Sequence, residues 1–181
     1  MAEIKSAIEI AMERTKNLVM DEKEKKEFAQ KDLTDRLRAI ERRFLEGIIE
    51  PEEFLAEYKN IQAEKSQKRR ILVDLLVEEF NASVENERLF QLLEIMGDEA
   101  GGGLGDEARL LKSAFQKELE ARLSGIKESI LGRLSSMGIS GSSIEPNVTE
   151  WDEWKNALQE TGSVCRKRLY EWKDKVWVVS A

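Results

Sequence analysis

Gly97-Asp98-Glu99-Ala100-Gly101-Gly102-Gly103-Leu104-Gly105 is the stretch on which the fold turns. Five of its nine residues are glycine. Glycine loses more backbone freedom on ordering than any other residue, so this run is expected to leave the helical state and let the chain reverse. The sequence on both sides is helical in pattern. Upstream, no glycine or proline falls between Pro51 and Gly97, which predicts one helix of about 46 residues, roughly 69 Å long. Downstream, Ala108, Leu111, Phe115, Leu119, Leu123, Ile126, Ile130, Leu134 and Met137 recur at spacings of three and four. They predict a return helix over Asp106–Met137. The expected fold is therefore all-α, built on a long antiparallel hairpin of coiled-coil-like character spanning residues 48–138, with its tip at 97–105.

The outgoing arm has a well-marked start. Pro51 suits the first helical position, where the missing N–H is not needed. Glu52 and Glu53 complement the positive helix end, and Ile49 and Phe54 have the spacing of a hydrophobic staple. Its seam runs Phe54, Tyr58, Ile61, Leu72, Leu75, Leu89, Leu93, Met96, interrupted by Lys65, Lys68, Glu79 and Asn86. Leu76, Phe80 and Phe90 lie off that seam. An even supercoil is not expected, and the off-seam residues call for further neighbours, so an elongated homo-oligomer, a dimer, is predicted. On the return side Gly138 suits a left-handed cap, with Ile139 folding back on Leu134.

Working outward, residues 1–47 predict an N-terminal helix pair. Ile4, Ile8, Ala11, Thr15 and Leu18 form one stripe over Ala2–Val19. Asp21 with Glu24 three residues on forms a capping pair for a second helix. That helix opens on seven charged residues, carries Leu33, Leu37, Ile40 and Phe44, and ends at Gly47. Beyond the hairpin, 139–148 read as a linker, and 149–181 as a small Trp-rich helical segment holding all four tryptophans. This segment carries six acidic and six basic residues, so the net charge of −7 rests on the first 148. Trp151, Trp154, Leu158, Cys165, Leu169, Trp172 and Val176 keep a helical stripe, with Gly162 a possible break.

Composition narrows the chemistry. Ala, Glu, Lys, Leu and Arg make up 91 of 181 residues, the mix of long helices. The acidic balance argues against nucleic acid as a partner. Basic runs at Lys65–Arg70 and Arg166–Arg168 have acidic neighbours and read as solvated faces. No run is long and apolar enough to span a membrane, and balanced charges in the Trp-rich segment argue against contact with a membrane surface. A single cysteine and an N-terminus charged from the start point to an intracellular, cytoplasmic protein.

The chain has no histidine. That removes the commonest acid–base group at neutral pH and the usual zinc and di-iron ligand sets, so neither a metal nor another cofactor is expected. The glycine run lacks a preceding strand and a following Gly-Lys-Ser/Thr, and Asp106 and Glu107 would repel a phosphate at the helix start. Cys165 sits on an apolar stripe with no base beside it and reads as a small buried hydrophobe. These absences predict a non-enzyme.

The layout resembles, in outline only, long-helix scaffolds such as the peripheral-stalk subunits of rotary ATPases, without the α/β domain in which those end. The expected function is that of a helical scaffold acting through oligomerisation and docking of a protein partner. The alternative is a chaperone-like holdase, disfavoured because the methionines at 1, 12, 20, 96 and 137 are scattered. Tryptophan is enriched in binding hot spots, so Trp151, Trp172 and Trp177 are the candidate partner-binding residues. Trp177 is expected to be exposed, Trp154 and Leu158 buried.

Overall fold

The computed structural model describes residues 21–141 and 144–179. The predicted first helix, Ala2–Val19, lies outside them. Among the described residues there are six α-helices and no strand: α1 (Glu22–Leu45), α2 (Pro51–Asn60), α3 (Lys65–Glu79), α4 (Glu87–Ala100), α5 (Leu104–Ser136) and α6 (Asp152–Val179). A single 3-10 turn, Val148–Glu150, leads into α6. None of these helices is long and apolar enough to cross a membrane.

The all-α class holds, but the 46-residue outgoing helix does not. Residues 51–100 form three helices instead of one, broken at Ile61–Glu64 and Phe80–Asn86. Neither break contains glycine or proline. At the first, Ile61 turns extended, and the Lys68 ammonium donates to the Tyr58 and Ile61 carbonyls at 2.8 and 2.9 Å. Those are carbonyls that a continuing helix would have used itself. At the second, the Asn86 amide donates to the Asn81 and Val84 carbonyls, both at 2.7 Å, while the Asn81 side chain accepts from the Ser83 N–H. The turn delivers the Phe80 ring onto Phe90 and Phe115, at centroid distances of 6.1 and 5.3 Å.

With the chain folded back on itself, residues read as needing a second copy find neighbours within the protomer. Leu76, Phe80 and Phe90 are all buried in one core with Leu37, Phe44, Phe54, Leu72, Leu93, Met96 and Trp172. The motive for predicting a dimer is thereby removed. Likewise Lys68 and Arg69 do not lie on a solvated face. Both are buried, and Arg69 donates to the Glu99 carbonyl at 3.1 Å. Desolvation holds the Lys68 pKa below the usual lysine range.

The hairpin that remains is α4 and α5, joined by a turn at Gly101–Gly103 in which all three glycines have positive φ. The helices extend further into the glycine run than expected, to Ala100 and from Leu104. Gly97 and Gly105 serve a different purpose from the turn. A Cβ on Gly97 would sit 2.6 Å from the Gly105 nitrogen, and one on Gly105 would collide with Asp98. The two helices therefore touch backbone to backbone. Gly162 is not a break either: α6 runs through it, and the Ala82 methyl occupies the place its Cβ would take.

Several local signals hold. The Asp21 N–H donates to Glu24 at 2.9 Å, Pro51 begins α2, and Gly47 follows the end of α1 with φ 75°. Gly138 has φ 81°, and the Ile139 N–H donates to the Leu134 carbonyl at 2.9 Å, closing the predicted cap.

Candidate interaction surface

The long return helix α5 outlasts α4, and its other flank is covered by α6 running back along it. Their common face carries ion pairs at intervals: Lys175–Glu107 at 2.6 Å, Arg122–Glu160 at 2.7 Å and Arg133–Glu153 at 2.6 Å. Between the first two of these pairs the helices part enough to leave a groove. Its deeper part is a half-open cavity of about 250 Å3 lined by Leu111, Phe115, Glu118, Thr161, Val164 and Cys165, among others. Its open part, about 480 Å3, runs on past Leu110 and Trp172 toward Lys175. Leu111, Ala114 and Arg168 line both parts, so the two are one continuous feature.

The rims of this groove are apolar where water would normally be faced. Leu110 is 69% exposed on α5 and Val164 is 53% exposed on α6. The floor is apolar too, formed by Leu111, Phe115 and Trp172. Charge is confined to a few positions, most of them neutralised within the chain. Arg122 bonds both Glu118 and Glu160 at 2.7 Å, and Lys175 is held by Glu107. Among the described residues Arg168 makes no ion pair.

Thr161 is buried, and its hydroxyl has no hydrogen-bond partner. Cys165 is buried as expected, and burial pushes its thiol up to about 12, with Arg168 pulling weakly the other way. It is a neutral thiol at physiological pH, a wall of the groove rather than a nucleophile.

The candidate tryptophans are dispersed rather than clustered. Trp172 presents no face to a partner: it is 1% exposed, and its indole N–H donates to the Leu104 carbonyl at 2.9 Å. The start of α5 supplies the acceptor that a docking tryptophan would seek outside. Trp151 is half-buried beside α5, with the Arg133 guanidinium 4.9 Å from its ring centroid. Trp177 is half-buried rather than exposed. The Lys173 ammonium stands 4.6 Å over its ring, and Arg70 approaches its carbonyl at 3.5 Å. Trp154 and Leu158 are half-buried as well, not enclosed.

The groove was missed at the level of sequence because it belongs to two helices at once. Its one legible trace is Leu110, an apolar residue standing off the α5 stripe. No protein-family model matches the chain, and no curated protein and no solved structure matches it significantly.

Proposed function

We propose that this chain is a helical interaction protein, a scaffold that receives an amphipathic helix of a partner protein in the groove between α5 and α6. The observation that carries this reading is that Leu110 on α5 and Val164 on α6 stand exposed at successive points along one groove with an apolar floor. Covering two such side chains is worth about 1.5–3 kcal/mol each, and a helix laid in a groove is a recurrent way of doing so. The ion pairs at either end give the groove a fixed length and no methionine lines it. A set partner fits that description better than the range of clients a holdase accepts.

Site-specific photo-crosslinking tests the proposal. A photoreactive residue at Val164 should give one discrete protein adduct in cells, and Leu110→Arg should abolish it. The same probe at exposed Glu128, on the C-terminal half of α5, should give none. Equal adducts from both positions, or none from Val164, would defeat the reading. An adduct with a second copy of the chain would make the groove a self-association surface.

A further inference from the structure

We infer that the groove selects a partner helix presenting, along one face, a carboxylate, an apolar anchor and a hydrogen-bonding side chain in that order. The inference rests on the docking reading above and specifies its partner. Three features of α6 lead to it.

Arg168 lines both the cavity and the open groove, and among the described residues no carboxylate pairs with it, whereas Arg122 and Lys175 are each neutralised by their own glutamates. Arg168 is solvent-exposed on the rim, with exposed Glu171 one turn on, so an incoming carboxylate gains there by matching the guanidinium geometry with two hydrogen bonds and not by exclusion of water.

Two helical turns earlier, Thr161 is 5% exposed and its hydroxyl has no partner. A helical threonine commonly bonds the carbonyl four residues back, and this one does not. A buried hydroxyl left unpaired carries a penalty, and rotation of the Thr161 side chain toward a polar group of an occupant removes it.

Between Thr161 and Arg168 lie Val164 and Cys165, with Leu111 and Phe115 across the cavity. The cavity of about 250 Å3 takes one large apolar side chain. Polar, apolar and cationic positions thus succeed one another over seven residues of α6, about 10.5 Å along its axis. A partner helix meets them with side chains at i, i+4 and i+7, in either chain direction. Glu171, one turn past Arg168, lines the open groove and among the described residues makes no ion pair.

The test is calorimetric titration of the full chain with a synthetic helical peptide carrying Glu, Leu and Gln at i, i+4 and i+7, against the same peptide with Lys for Glu. The Glu peptide should bind at least about tenfold more tightly. Arg168→Glu should invert that preference. Thr161→Val should weaken both peptides several-fold and leave the preference unchanged. Absence of saturable binding, or an unchanged preference in Arg168→Glu, overturns the inference. So does Arg168-dependent binding of octanoate in place of the peptide, which would assign the cavity to a free aliphatic acid. Persistence of the Val164 adduct in any of these cases would leave the docking function standing and remove only this specification of the partner.

Discussion

The two halves of α5 carry the same kind of stripe and meet different fates. In the first half Ala108 and Phe115 are buried, because α4 lies on one flank and α6 on the other. In the second half Ile126 and Leu134 are only half-buried, and Leu123 is exposed. Among the described residues, the start of α6, the 3-10 turn and Glu145 just before it are what cover that half. Its buried apolar set is Ile130, Val148 and Ala157, which stand apart from the main core. Ion pairs do much of the lateral joining there, with Lys127–Glu145 at 3.0 Å and Arg133–Glu153 at 2.6 Å. The molecule thus has a body in which each helix has several neighbours, and an arm in which two helices share one face. A stripe tells which face of a helix seeks cover. The number of neighbours decides how much it receives.

The sharpest way to break this contrast is a pair of truncations. Phe44→Ala in the body should lower global stability by about 3–5 kcal/mol, since Phe44 is fully buried against the Phe54 ring at 5.5 Å. Ile130→Ala should cost about 2 kcal/mol, felt as local opening of the arm. Amide hydrogen exchange distinguishes the two. If Ile130→Ala lowers protection in α1 and α3 as much as in the arm, then arm and body are one cooperative unit.

The body also holds a defect that the arm lacks. Glu41 on α1 is 0% exposed, and neither of its carboxylate oxygens has a hydrogen-bond partner. Burial, reinforced by Glu79 and Glu78 on α3 and opposed by Arg38 and Arg42 on its own helix, pushes its pKa up to about 7. The fold therefore holds the protonated acid more tightly than the unfolded chain does. This contribution is complete below about pH 4.5, declines as pH rises and is gone above about 7. At 1.36 kcal/mol per pKa unit the loss is about 3 kcal/mol. Glu41→Met, similar in length and uncharged, should stabilise the protein by about that amount at pH 8 and much less at pH 4. Denaturant midpoints at the two pH values would show it, and an equal effect at both would refute the assignment.

Glycine substitutions should differ in sign between the regions. Gly97→Ala forces a methyl onto the Gly105 backbone and should cost about 1–3 kcal/mol. Gly125 and Gly132 stand in the arm half of α5 with open space around them. Alanine at either should stabilise by about 0.5–1 kcal/mol, the helix-propensity difference, provided the arm unfolds with the body. Thermal melts of the single variants suffice, and a destabilising Gly125→Ala would mean that the arm's open face is covered.

The amino-acid sequence alone determined what depends on near neighbours in the chain. Helical periodicity, the Asp21–Glu24 cap, the start at Pro51, the stops at Gly47 and Gly138 and the reversal at Gly101–Gly103 all follow from interactions within one or two turns. So does the placing of Cys165 and Phe44 on inward faces. Tertiary structure decided the rest. The outgoing helix breaks at Ile61–Glu64 and Phe80–Asn86 although its propensity is helical throughout, because propensity differences of a few tenths of a kcal/mol per residue are small beside the burial of Phe80 and the carbonyls satisfied by Lys68 and Asn86. Asn81, Ser83 and Asn86 were a faint local signal of the second turn. Nothing local marked Trp172 as core or Val164 as groove rim. A stripe position is buried or exposed according to which helix lies across from it, and that partner is set by contacts tens of residues away in the chain.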